Sequence, residues 1–304
     1  MFKHGAKVTQ ILHLWNNIVT TELSIIIVNY RVYPYLDACL RAVSAALSEL
    51  NAEIIVVDND TDETKQIVLA HDFPTIQWIC LTQNLGFAKA NNLALQKAVG
   101  KYILFLNPDT AIQSSTLKDA VQYLNSNSAV GAVGVQMHNG DGYFLPESKR
   151  DQPSLIGTLF KLMGLAMLFP KSALFNSYAL GHLDKNQIHS VPVLAGAFIL
   201  MPTELIKKIG GFDESFFMYG EDIDLSLRVL QQGFENHYLG NLIITHYKGA
   251  SSKQDPAYLD HFYGSMIIFL NKYRHLYGGA VGAWWLKNCI RIIAWMANFK
   301  KKIQ

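Results

Sequence analysis

Three cysteines in 304 residues are too few, and too far apart, to staple a fold. Cys39, Cys80 and Cys289 show no Cys-x-x-Cys spacing. Neither a disulfide framework nor a zinc site is expected, and the thiols read as reduced, in a cytoplasmic protein. Long hydrophobic runs are also missing. No stretch of eighteen or more apolar residues occurs, so no transmembrane helix is expected. The apolar segment 11–19 is interrupted by His13, Asn16 and Asn17 and lacks the form of a secretion signal. Charge of one sign is scarce: 26 lysines and arginines against 24 acids leave a net +2. That excludes a general nucleic-acid binder, whose basic residues should dominate one face. Internal repeats and low-complexity linkers are absent as well.

What is present is a well-filled core. Half of the residues are hydrophobic and 16% are charged, more apolar than a disordered chain. From residue 23 the pattern alternates strand and helix. Short β-branched runs at 23–28, 53–57, 75–81 and 102–106 predict strands. Stretches 34–50, 64–70 and 88–99 predict helices, the first with Leu36, Leu40, Val43 and Leu47 at helical spacing. Continuous apolar strands separated by helices predict a parallel sheet buried on both faces. Beyond residue 135 the pattern loosens. A strand is expected over 191–201, short helices over 202–209 and 223–232, and a last strand over 241–245. An amphipathic helix over 258–273 precedes a tryptophan-rich basic tail.

In a sheet of this kind the ligand site lies outside the carboxyl ends of the strands. Asn29, Asp58 and Asp109 each stand directly after a predicted strand, which points to a site rather than to three separate solvated loops.

Six segments together carry a more specific signal. They are Leu23-Ser24-Ile25-Ile26-Ile27-Val28-Asn29-Tyr30, Val56-Val57-Asp58-Asn59, Asn84-Leu85-Gly86-Phe87-Ala88, Asn107-Pro108-Asp109, Gly210-Gly211-Phe212-Asp213-Glu214 and Gly220-Glu221-Asp222-Ile223-Asp224-Leu225. In this order, over roughly residues 22–252, the set resembles glycosyltransferase family 2, and in particular its rhamnosyltransferase-like branch. The resemblance implies an α/β GT-A fold: a Rossmann-like, mostly parallel central sheet flanked by helices. It also implies a nucleotide-diphosphate sugar donor, a divalent metal (Mg²⁺ or Mn²⁺) and inversion at the anomeric carbon. Residues 22–252 would form the transferase domain and 253–304 a helical C-terminal extension.

The resemblance also assigns roles. Asn107-Pro108-Asp109 matches the family's Asp-x-Asp position with asparagine in place of the first acid, so Asp109 would supply the one carboxylate to the metal and the donor diphosphate further oxygens. Alone, the tripeptide is also good turn chemistry. His246 heads His246-Tyr247-Lys248-Gly249-Ala250-Ser251, similar to a family segment whose histidine often completes the metal site. A strand-end histidine bonded to backbone is the alternative. Asn29, Tyr30 and Asp58 correspond to the nucleoside pocket. Asn84, Gly86 and Asn91 lie around the loop and helix start that approach the donor, where glycine permits close backbone contact and a helix N-terminus favours diphosphate. Asp222 corresponds to the catalytic base. Direct displacement needs a carboxylate to take the acceptor's proton, although acids at a helix start also serve as caps. Glu221 and Asp224 would orient that loop or bind acceptor hydroxyls, with Arg228 one turn on as a supporting partner.

The tail mixes Trp284, Trp285, Trp295, Ile292 and Ile293 with Lys287, Arg291 and Lys300 to Lys302. Such a helix suits the inner face of an anionic membrane, its own domain, or a second subunit. A lipid-linked saccharide is the natural acceptor in the first case. A processive synthase is not expected, since transmembrane spans and a Gln-x-x-Arg-Trp motif are both missing. A sugar-phosphate nucleotidyltransferase would carry a glycine-rich basic loop where Asn29-Tyr30-Arg31-Val32 stands. A non-catalytic scaffold would have little use for both Asp109 and Asp222.

Overall fold

The computed structural model describes residues 21–47, 50–154, 157, 160, 164–249 and 257–303. Segment 11–19, positions 48–49 of the first expected helix, Ala250-Ser251 and the expected boundary at 252 lie outside them.

Strand β1 (Leu23–Asn29) leads into helix α1 (Tyr33–Ala46), whose first turn holds Pro34, where a missing N–H costs no helical bond. Then come β2 (Ala52–Asn59), α2 (Glu63–Asp72), β3 (Gln77–Leu81), α3 (Phe87–Leu95) and β4 (Tyr102–Leu106). These four strands run parallel in the order β3-β2-β1-β4. Their side chains divide between two cores. Leu23, Ile25 and Ile27 of β1 pack with Leu36, Leu40 and Val43 of α1, whereas Ile26 and Val28 pack with Ala88, Ala90 and Ala94 of α3. β2 and β4 divide in the same way. Both faces of β1, β2 and β4 are covered, which is why these three read as apolar runs; β3, expected to be buried likewise, is the sheet edge, with Gln77 and Cys80 exposed.

The second half is less regular. It contains β5 (Thr110–Ile112), α4 (Thr116–Ser126), β6 (Val130–His138), β7 (Lys149–Arg150), α5 (Leu165–Leu168), β8 (Ile188–Ser190), β9 (Val193–Leu194), β10 (Phe198–Pro202), α6 (Thr203–Lys208), α7 (Glu221–Gln231) and β11 (Glu235–His246). The main sheet continues β4-β10-β6-β11-β5, with β8 also on β11. β10, β5 and β8 run against the other strands, so the sheet is mixed but mostly parallel, as expected.

The single strand expected over 191–201 is corrected to two. β9 pairs with β7 in a small separate sheet, and β10 joins the main one. Residues 195–197 leave the ladder between them because the Gly196 N–H is committed elsewhere, to the Asp222 carboxylate. β6 and α4 were not anticipated: Gly131 and Gly134 dilute the apolar run of β6. β11 starts six residues before the expected strand, its early positions including polar Glu235, which pairs with β6, and His237, which pairs with short β8.

Helices α8 (Tyr258–Lys272) and α9 (Gly279–Ile303) form the C-terminal extension. They meet α7 in a third core that includes Phe216, Leu227, Phe269, Tyr273, Tyr277 and Ile290. No described helix is long and apolar enough to cross a membrane.

Candidate active site

The parallel register of β1 and β2 sets Asn29 directly beside Asp58. The Asn29 amide donates to Asp58 Oδ1 at 2.7 Å, and the Tyr33 hydroxyl donates to Oδ2 at 2.9 Å. That hydroxyl in turn accepts the Asp62 N–H at 2.6 Å. Asn29 and Asp58 are fully buried. Burial pushes the Asp58 carboxyl up, against the opposing effect of the bonds from Asn29 and Tyr33.

Asn59 reaches the next loop. Its amide donates to Asn84 Oδ1 at 2.7 Å, and its oxygen accepts the Leu85 N–H at 2.8 Å. Gly86 has φ +83°, and a Cβ there would stand 2.5 Å from the Phe217 carbonyl oxygen. The Phe87 N–H donates to that same oxygen at 2.7 Å, clamping the start of α3 to the loop before α7. Asn91 turns back into its own helix, donating to the Phe87 carbonyl at 2.9 Å.

After β4 the turn 107–109 is held by two bonds. The Asn107 N–H donates to the Ala197 carbonyl at 3.0 Å, and the Thr110 hydroxyl donates to the Asn107 carbonyl at 2.8 Å. The pairing of β5 with β11 sets Thr110 opposite His246. This brings Asp109 Oδ1 to 3.2 Å from His246 Nε2, both side chains being about nine-tenths buried or more. His246 Nδ1 is buried without a protein partner, at a cost of roughly 1–3 kcal/mol. No group of three or more His, Cys, Asp or Glu side chains converges on one point among the described residues. The Asp109 carboxylate and the His246 imidazole nevertheless fit a Mg²⁺ or Mn²⁺ ion that takes its remaining oxygens from water or a bound anion.

The other half of the site is the start of α7. Tyr219 (φ +70°) and Gly220 (φ +86°) are both left-handed, which turns the chain sharply into the helix and presents its first residues to the interior. Asp222 Oδ2 accepts from Arg150 Nη2 at 2.6 Å and from the Gly196 N–H at 3.0 Å. Its Oδ1 accepts the Ile223 N–H at 2.8 Å. Burial alone would lower the Arg150 pKa, but the Asp222 carboxylate and Tyr178 beside it raise it overall. Glu221 differs from its neighbour. It is 7% exposed, and its Oε2 has no partner. Burial first, and the Asp222 charge second, push its carboxyl up to about 8. Two adjacent acids therefore sit in different environments, one bonded to a guanidinium and two backbone N–H groups and the other with a buried oxygen left without a partner. Asp224 points the other way, fully buried. It pairs with Arg228 Nε at 2.8 Å, as its spacing suggested, and accepts from the hydroxyl of Tyr273, just after α8, at 2.7 Å.

All of this surrounds one cavity of about 940 Å³. Of the residues expected at the site, Tyr30, Asn84, Asn107, Asp109, Glu221, Asp222 and His246 line it. Asn29, Asp58, Gly86, Asn91 and Asp224 do not: they lie behind the lining and hold it in shape through the bonds just described. A smaller depression of about 610 Å³, lined by Arg31, Tyr33, Asp60 and Lys65, holds none of the acids at 109, 221 and 222. Arg150 was missed in the sequence. It stands in a two-residue strand without periodicity, 72 positions from its partner, so only the folded contact reveals it. The same holds for the cavity's apolar wall, to which Phe262, Phe269, Leu286 and Ile290 of α8 and α9 contribute. Chemically, one end of the cavity can bind a cation with an anion, and the other can accept a proton.

The chain is similar to known proteins. The chain is 27% identical over 281 residues to the N-acetylglucosaminyl-diphospho-decaprenol L-rhamnosyltransferase of Mycobacterium tuberculosis, covering 88% of this chain and 87% of that protein. It is 28% identical to the rhamnosyltransferase WbbL of Escherichia coli, over 73% of this chain and 82% of that one. Among solved structures, S. aureus TarS 1-349 in complex with UDP-GlcNAc shares the fold with a TM-score of 0.53 at 20% identity, over 81% of this chain and 65% of that one. The family model "Glycosyl transferase family 2" matches residues 24–209, more than half of the chain. With the GT-A architecture and this cavity at the carboxyl ends of its strands, the chain belongs to glycosyltransferase family 2.

Proposed function

We propose that the chain is an inverting, metal-dependent transferase. It moves a sugar from a dTDP- or UDP-linked donor, dTDP-rhamnose among them, to a hydroxyl of a lipid-linked saccharide during cell-surface polysaccharide synthesis. The observation that carries this reading is the single cavity lined by the Asp109–His246 pair and by Asp222. Rhamnosyltransferase relatives support the donor class. The mycobacterial relative, named for an N-acetylglucosaminyl-diphospho-decaprenol, supports a lipid-linked acceptor.

In this reading Tyr30 covers the nucleoside, with Asn29 and Asp58 as the polar floor beneath it. The amides of Asn84 and Asn107 reach the donor, Gly86 and Asn91 keep the approach loop and helix start in place, and Asp109 and His246 would hold the Mg²⁺ or Mn²⁺. Such an ion, when bound, supplies positive charge against the leaving diphosphate. Asp222 takes the proton. A carboxylate has about four lone-pair sites. Arg150, Gly196 and Ile223 use three, which leaves one on Oδ1 for the acceptor hydroxyl. As that O–H bond breaks toward Asp222, the acceptor oxygen bonds to the anomeric carbon from the face opposite the diphosphate. The carbon–oxygen bond to the diphosphate breaks, and nucleoside diphosphate leaves. Glu221, protonated at neutral pH, can donate a hydrogen bond to a second acceptor oxygen, while Asp224 steadies the loop from behind.

Asp222→Asn should lower transfer by roughly 10²–10⁴-fold, the usual contribution of a positioned base, with donor affinity within about twofold of wild type. Unchanged turnover would remove Asp222 from this role. Asp109→Ala should weaken Mn²⁺-dependent donor binding at least about tenfold by calorimetry, equivalent to about 1.4 kcal/mol. Equal donor affinity of the wild-type chain with Mn²⁺ and with chelator would sink the metal role.

A further inference from the structure

Helix α9 has two faces of different use. Ala283, Leu286, Ile290 and Ile293 turn inward, the last three lining the reaction cavity. On the opposite side Val281, Trp284, Trp285, Ile292 and Met296 are between 49% and 70% exposed. At about 100° per residue these five fall within an arc of roughly 120°, a continuous apolar stripe along the helix. Lys287 and Arg291 flank the stripe on one side. Scattered exposed apolar residues are ordinary, but a contiguous row that includes two adjacent tryptophans is not.

Charge says what covers it. Asp260 is the last acid in the chain. Seven of the 26 lysines and arginines and none of the 24 acids follow it, so residues 261–304 carry +7 and the preceding residues −5. A second copy docking on this stripe would bring two +7 segments together. An anionic bilayer would meet the same segment with the opposite charge. Tryptophan, an apolar ring with one polar N–H, favours the level of the lipid headgroups.

We propose that the outer face of α9 lies in the headgroup layer of an anionic lipid bilayer, while its inner face forms a wall of the reaction cavity. One helix thereby brings the cavity to a membrane-borne acceptor. The nature of that acceptor rests on the transferase reading; the docking itself does not, and is measured without turnover.

The test is co-sedimentation of the full chain with vesicles of phosphatidylcholine alone, or containing about 30% phosphatidylglycerol. Wild type should bind the anionic vesicles at least about tenfold more tightly than the neutral ones, with binding weakened several-fold by about 0.5 M salt. The variant W284S/W285S/I292S should lose about tenfold or more in anionic-vesicle binding, with donor hydrolysis and thermal unfolding close to wild type. K287E/R291E, which keeps the stripe, should lose the preference for anionic vesicles. Wild-type binding that is absent, or unchanged in both variants, would overturn the proposal. So would a wild-type dimer that becomes monomeric in the serine variant, since the stripe would then belong to a second copy. Intact vesicle binding without donor hydrolysis would fault the transferase reading and leave the docking in place.

Discussion

Glu221 and Asp222 are chemically similar, adjacent, and set to different tasks by what surrounds them. Asp222 meets a guanidinium and two backbone N–H groups; Glu221 meets apolar walls and its neighbour's charge. The consequence is a pH dependence of definite sign. The folded chain holds the Glu221 proton to about 8, whereas an unfolded chain releases it near 4.5. This carboxyl therefore favours the native state fully below about pH 4.5, and that advantage is lost as pH rises through about 8. Glu221→Gln removes the penalty. Its stability in chemical denaturation should gain on wild type from about pH 5 upward, levelling above about pH 8 at a difference on the order of a few kcal/mol. Parallel pH profiles for the two proteins would show that Glu221 ionises freely in the fold. The acids at 109, 221 and 222 were legible in the sequence because each stands at the start or end of a regular element. Arg150 was not, since nothing local distinguishes a partner 72 residues away from any other arginine.

At the level of elements, the site is made by interruptions. Strand β10 stops short of β9 so that Gly196 can serve Asp222, and the loops before α3 and α7 are joined through the Phe217 carbonyl. Gly86 is the tightest point of that junction. Its backbone (φ +83°, ψ 170°) lies where side chains are essentially excluded, and any Cβ meets the Phe217 carbonyl. Gly86→Ala should cost about 1–3 kcal/mol in denaturant unfolding and weaken donor binding, because both loops must shift. A variant as stable as wild type would show the junction to be loose. Turn chemistry announced Asn107-Pro108-Asp109, but the break at 195–197 was invisible, since Val191 to Met201 is apolar throughout apart from Pro192 and Gly196. Only the demand of a distant carboxylate divides that run.

Across the whole molecule, the first half was legible and the second only in part. Residues 23–106 alternate apolar strands with amphipathic helices, and short-range periodicity is enough to recover a buried parallel sheet. Beyond it, β10 is inserted antiparallel between β4 and β6, an order set by long-range packing that no local pattern records. The third core was likewise hidden. Asp224 reads as one of three acids at the helix start, yet it binds Tyr273 and thereby ties α7 to the C-terminal extension. The two cores on either face of the sheet carry a further consequence. Neighbouring positions in β1, such as Ile25 and Ile26, answer to different helices. Across descendants of this fold, odd positions of the strand should drift in concert with α1 and even positions with α3. A single strand would then keep two separate histories of co-adaptation, interleaved residue by residue.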